Sequence, residues 1–177
     1  MVDKSVTEQQ QINKLTKNSD HYFNAALQTD DFSLDQQYSI LKNACPNAGA
    51  IVTFTGLVRD VAKTNASVAL IELSAYPAMT KAQMHQVGLS VFDHFELDGV
   101  NIIHRYGKLK PTEQIVFVGV ASKHRSDSFS AAQMIMDQLK SSVAFWKKEH
   151  YTDGCESQWI EPTEDDKTAL KKWSLKK

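Results

Sequence analysis

The sequence predicts an α+β fold, and three observations predict it. Segments with apolar residues at helical spacing stand between short β-branched runs. One of those runs, QIVFVGVAS over residues 114–122, is apolar at successive positions and so on both faces, as a central buried strand is. An Asp153-Gly154 pair between two extended segments reads as a hairpin. Helices mixed with hairpins point away from a doubly wound parallel sheet. The predicted order is β-α-β-β-α-β-β-α-β-β.

The elements follow in turn. Residues 1–20 are rich in Gln, Asn, Lys and Ser, and the expectation is a disordered extension before a single domain over 21–177. His21 to Gln28 is read as a first short strand. Ser33-x-x-Gln36 forms a capping box, and its helix ends before Cys45-Pro46, because proline disfavours helix at the preceding residue. AIVTFTG over 50–56 and SVALIELS over 67–74 are strands, separated by polar loop sequence. Thr80-x-x-Gln83 reads as another capping box. Met84, Val87, Val91, Phe92 and Phe95 then trace one face of a helix over 80–96. Asp98-Gly99 reads as a turn, Val100 to Tyr106 as a strand, and Lys110-Pro111-Thr112 as a connector before the central strand.

Ser126 is the expected N-cap of the next helix, with Asp127 in its first turn favouring the helix dipole. Phe129, Ala132, Ile135, Met136, Leu139 and Val143 would form its buried face. Phe145 to Tyr151 alternates as a strand and Ser157 to Ile160 returns. The charged tail from Thr163 to Lys177 reads as a short frayed helix.

Composition narrows the function. The chain has 177 residues, enough to bury roughly 70% of its unfolded surface without staples. Its 20 basic and 21 acidic residues balance, unlike the basic footprint of a nucleic-acid binder. No apolar run approaches the roughly 20 residues that span a bilayer, and the polar N-terminus lacks a signal-peptide core. The expected location is therefore cytoplasmic, with no membrane partner. Cys45 and Cys155 make neither a disulfide framework nor a CxxC site, and no bound metal or cofactor is expected.

Only three of the basic residues are arginines, Arg59, Arg105 and Arg125, and two of them follow a histidine. Arginine supplies a planar fork for phosphate or carboxylate. The plainer alternative is drift in a lysine-preferring sequence. The junction Ser122-Lys-His-Arg-Ser-Asp127 is more informative. A buried strand ends there and a helix begins, and helix N-termini present free N–H groups to anions. Lys123, His124 and Arg125 add cationic donors at that point. Lys140 follows Met136 by about one turn on the same helix. Apolar neighbours can turn such an amine into a base or nucleophile, although most helix lysines are merely solvated. In an extended Phe145–Glu149 segment, Lys147 and Glu149 share one face and Lys148 takes the other. Arg59 stands at a strand exit.

Several stretches together resemble one family. They are GAIVTFTGLVRD over 49–60, Glu72-x-x-x-Tyr76-Pro77-x-Met79, Ile103-His-Arg-x-Gly107, IVFVGVASKHR over 115–125, and MDQLKSSVAFWKKE over 136–149. In this order they resemble the large, catalytic subunit of molybdopterin synthase. The resemblance covers about residues 49–160.

The resemblance implies a hammerhead-like α+β core with an additional antiparallel sheet. It implies an enzyme, a sulfurtransferase of molybdenum cofactor biosynthesis. Sulfur would pass from the C-terminal thiocarboxylate of a small ubiquitin-like partner subunit, whose tail ends Gly-Gly, to cyclic pyranopterin monophosphate, giving the dithiolene of molybdopterin. It further implies a homodimer that becomes a heterotetramer with two small subunits. By the motif match, Lys140 and Lys147 would be catalytic, Lys140 as general acid/base or transient covalent amine. Arg59, His124, Arg125, Lys147, Lys148 and Glu149 would hold the substrate.

The sequence departs from the family pattern in places. Leu57 stands where the family has lysine, Lys148 where arginine is common, and Trp159 is followed by Ile160-Glu161-Pro162 without an arginine. A rival reading is a non-catalytic binder of a ubiquitin-like tail. Leu57 favours it, and the lysines at 140 and 147 disfavour it.

Overall fold

The computed structural model describes residues 21–60, 67–152, 157–160 and 173. Eight strands and three α-helices occupy them. These are β1 (Tyr22–Gln28), α1 (Leu34–Ala44), β2 (Ala50–Leu57), β3 (Val68–Ser74), α2 (Pro77–Ser90), β4 (Leu97–Arg105), β5 (Gly107–Leu109), β6 (Gln114–Ser122), α3 (Arg125–Ser142), β7 (Trp146–Tyr151) and β8 (Gln158–Ile160). They form two four-stranded sheets, ordered β1-β4-β6-β2 and β5-β3-β7-β8. Only β1 and β4 pair in parallel; the other pairs are antiparallel. The predicted α+β class holds, and the short strand β5 is an addition to the predicted order.

The first sheet is covered on both faces, which is why β6 reads as apolar throughout. Val116, Val118 and Val120 join Val100, Ile102, Met84 and Ile135 in the main core, beneath α2 and α3. The alternate residues Phe117 and Ala121 face the other way, against Phe32 and against Leu41 and Cys45 of α1. Successive strand residues point to opposite faces, so a strand between two helical layers has no polar side.

The local signals are fulfilled unevenly. Ser33 caps α1, its hydroxyl accepting from the Gln36 N–H at 3.3 Å. Thr80-x-x-Gln83 is not a capping box. Helix α2 begins at Pro77, whose fixed φ suits a first helical position, and Thr80 lies inside it. Both polar side chains act at long range instead. Thr80 Oγ1 donates to the Ala144 carbonyl at 3.2 Å, and Gln83 Oε1 accepts from the Ala144 N–H at 2.9 Å. They pin the junction between α3 and β7.

Asp98-Gly99 is not a turn either but part of β4, beside a bulge. A Cβ at Gly99 would sit 2.5 Å from Cys45 Sγ, so glycine is there for α1 to approach. Gly107, where the chain passes from β4 of one sheet to β5 of the other, has a φ of +93°, in the left-handed region that glycine tolerates.

Helix α3 starts at Arg125 with His124 in the N-cap position, not Ser126. Phe129 is 61% exposed rather than buried, and Ala131 and Met134 fill the inner face. Trp173, the one described residue of the expected tail helix, is helical and buried, and its Nε1 donates to Asp137 Oδ2 of α3 at 2.8 Å. The N-terminal extension and the Asp153-Gly154 hairpin tip lie outside the described residues. No helix among the described residues is long and apolar enough to cross a membrane.

Candidate active site

Helix α3 carries charged residues at both ends, and the two ends build different surroundings. At its N-terminus the chain leaves β6 at Ser122 and turns through Lys123 and His124. Ser122 Oγ donates to the His124 carbonyl at 2.7 Å and lies 2.6 Å from Ser128 Oγ. Ser128 Oγ is also 3.4 Å from the Ala50 carbonyl, so the two hydroxyl hydrogens serve three contacts between β2, β6 and α3. Both serines are fully buried. Gly49 closes the other side, its N–H donating to the Ser122 carbonyl at 3.1 Å. The result is a cleft lined by Gly49, Ala50, Lys123, His124, Arg125, Ser126 and Phe129. A strand-to-helix junction of this kind, rich in N–H and guanidinium donors, suits an anion.

At the C-terminal end of α3 a second cleft of about 610 Å³ opens between the two sheets. Phe54, Leu57, His104 and Ile115 of the first sheet face Ile71, Leu73, Trp146 and Lys147 of the second across it, and Lys140 comes from α3. A neighbouring groove runs along β2 and α3 past Phe129 and Met136 to the same Lys140. Lys140 therefore stands where two depressions meet.

Lys147 Nζ lies 2.7 Å from Glu149 Oε1, and Glu149 is 8% exposed. Tyr151 also donates its hydroxyl to Glu149, at 3.3 Å. The alternation of β7 thus puts Lys147 and Glu149 together, as the sequence predicts. Lys148 takes the other face, its Nζ 5.5 Å from the centre of the Trp159 ring on β8.

The cleft also contains a residue that sequence reasoning did not assign. His104 stacks on Phe145, with ring centres 3.9 Å apart, and burial pushes its imidazole down to about 4. The available signal was the Ile103-His-Arg-x-Gly107 stretch, which drew attention to the arginine instead. Arg105 proves to be a strut. Its guanidinium donates to the carbonyls of Thr29 and Gln114 at 3.1 and 2.9 Å and pairs with Asp31 at 3.4 Å.

The predicted residues are thus brought together only in part. Lys140 and Lys147 line one cleft, with Glu149 held by Lys147. His124 and Arg125 line another. Arg59 is exposed just past Leu57 and lines neither. Fifteen residues at 1.5 Å rise place Arg125 and Lys140 about 22 Å apart along α3.

The match to known proteins is extensive. The family model described as "MoaE protein" matches residues 27–142. The chain is 40% identical to the molybdopterin synthase catalytic subunit of Mesorhizobium japonicum over 147 residues, 83% of this chain and 91% of that relative. It is 42% identical to that of Yersinia pestis over 142 residues, 80% of this chain and 91% of the relative. A solved MoaE protein from Burkholderia ambifaria superimposes with a TM-score of 0.72 at 34% identity, covering 88% of this chain and 99% of the other. These likenesses place the chain among the sulfurtransferases of molybdenum cofactor biosynthesis. It belongs to the MoaE family, the catalytic subunits of molybdopterin synthase.

Proposed function

We propose that this chain moves sulfur from the C-terminal thiocarboxylate of a small ubiquitin-like partner onto cyclic pyranopterin monophosphate, building the dithiolene of molybdopterin. The observation that carries the reading is the convergence of Lys140 and Lys147 on one largely apolar cleft. Such walls exclude water and strengthen the field of the amines on an anionic thiocarboxylate. Lys140 is the reacting amine, as general acid/base or as a transient covalent link to the tail. Lys147, oriented by Glu149, holds the anionic groups beside it. The relatives' description as one subunit of a synthase supports a partner that brings the sulfur.

His124 and Arg125 bind the substrate phosphate in this reading, with Arg59 and Lys148 adding positive charge. One α3 cannot offer both of its ends to one small molecule across about 22 Å. A homodimer that sets the Arg125 end of one protomer against the Lys140 cleft of the other resolves this. The exposed Phe54 and Phe129 beside the groove between the two ends are apolar surface such an interface would cover. Two small subunits on that dimer make a heterotetramer.

The test is direct. The purified protein, thiocarboxylated partner and pyranopterin substrate are mixed, and formation of the dithiolene product is followed. Product is expected. Partner binding without product would instead mark the chain as a binder of ubiquitin-like tails.

A further inference from the structure

His104 lines the inter-sheet cleft together with Lys140 and Lys147. Its Nδ1 lies 2.8 Å from the carbonyl oxygen of Arg105. A carbonyl only accepts, so Nδ1 carries the proton and donates. With the imidazole neutral near pH 7, Nε2 keeps its lone pair. Among the described residues no hydrogen bond reaches Nε2.

The ring is also fixed in place. It stacks on Phe145 at an interplanar angle of 21°, and the preceding Ala144 is pinned through both backbone groups by Thr80 and Gln83 of α2. The cleft therefore has a rigid, neutral hydrogen-bond acceptor set among Leu57, Leu73, Ile115 and Val143. An acceptor of this kind in an apolar wall suits a neutral N–H, which loses little on leaving water when the bond is remade inside.

Building on the sulfur-transfer reading, we propose that His104 is a recognition residue for the partner's tail. Its Nε2 accepts a backbone N–H from the Gly-Gly end as the tail passes along the cleft toward Lys140. Glycines leave the tail narrow and its N–H groups uncovered, so the acceptor reads the main chain itself.

Nitrogen-15 spectra of the imidazole in the intact protein test this. The probe is the peptide acetyl-Ala-Ala-Gly-Gly. The control is the same peptide with both glycines replaced by sarcosine, which has no N–H. The Nε2 signal of His104 should shift with the first peptide and not with the second. In turnover assays His104→Phe keeps an aromatic ring for the stack and removes the acceptor. Its KM for thiocarboxylated partner should rise roughly 3- to 10-fold, the effect of one lost hydrogen bond, with kcat nearly unchanged. His104→Gln should recover part of the loss.

An equal shift with both peptides, no shift with either, or an unchanged KM in His104→Phe would overturn the proposal while wild-type turnover stands. Absence of product from the wild type would overturn the sulfur-transfer reading, and this proposal with it.

Discussion

The two ends of α3 show two ways of making a charged site. The N-terminal end is built by neighbours in sequence. Ser122, His124, Arg125 and Ser128 lie within seven residues, and the short bonds from Ser122 to the His124 carbonyl and to Ser128 fix the junction. The C-terminal end is built by neighbours in space. Lys140 comes from the helix, Lys147 from the strand after it, Leu57 from an edge strand of the first sheet, and His104 from within that sheet. Removing one group from the first end costs a binding contact. At the second end the roles divide in the reading proposed above: losing Lys140 costs the chemistry, and losing His104 costs tail binding.

The largest effect that would break or sharpen this contrast is at Lys140. Lys140→Ala should lower single-turnover product formation by about 10²- to 10⁴-fold, the usual contribution of a general acid/base, with partner binding retained. Lys140→Arg keeps the charge but gives up no proton in a protein, and it should be nearly as inactive. Near-wild-type turnover in Lys140→Ala would move the chemistry to Lys147.

The next effect is on stability and falls in the same cleft. His104 takes up a proton only near pH 4 when folded, against about 6.5 in an unfolded chain. Above pH 6.5 the imidazole is neutral in both states. Between 6.5 and 4 only the unfolded chain binds the proton, so stability falls as the pH drops through that window. The loss should approach about 3 kcal/mol at its lower end. Urea midpoints of the wild type minus those of His104→Phe isolate this from the carboxylates. A difference independent of pH would show the imidazole to be well solvated.

At the other end of the helix, Arg125→Ala should weaken substrate binding by about 1.5–3 kcal/mol, the range for a lost charged hydrogen bond. Arg125→Lys should recover only part, for want of the planar fork. Calorimetric titration with cyclic pyranopterin monophosphate reads both. Binding unchanged in Arg125→Ala would place the phosphate elsewhere. The smallest effect belongs to Ser122→Ala, which strips the His124 carbonyl and Ser128 of a buried partner. It should cost about 1–2 kcal/mol in thermal unfolding and raise the substrate KM slightly.

Legibility followed the same division. The N-terminal end of α3 was readable because a strand, a basic triplet and a helix start are consecutive in the chain. Its cap was misassigned to Ser126, since the serines that hold the turn are Ser122 and Ser128, one of them on the strand. Thr80 and Gln83 misled for a related reason. Their spacing satisfies the capping pattern, but a polar side chain bonds to whatever donor or acceptor packs against it, and here that is Ala144 from beyond α3. Phe129 fits the apolar period of α3 yet faces outward, because periodicity marks a face and not what lies against it.

By itself, the sequence determined the α+β class, the two-faced burial of β6, the cap at Ser33 and the shared face of Lys147 and Glu149. Each depends on residues a few positions apart, where spacing along the chain is spacing in space. The tertiary structure alone decided that Lys140 and Lys147 share a cleft with His104, and that Arg105 is a strut while Arg125 lines an open cleft. The strut rests on the carbonyls of Thr29 and Gln114, and the shared cleft on the approach of the second sheet to the first. That approach is set by the packing of apolar side chains far apart in the sequence, and no local pattern encodes their distances.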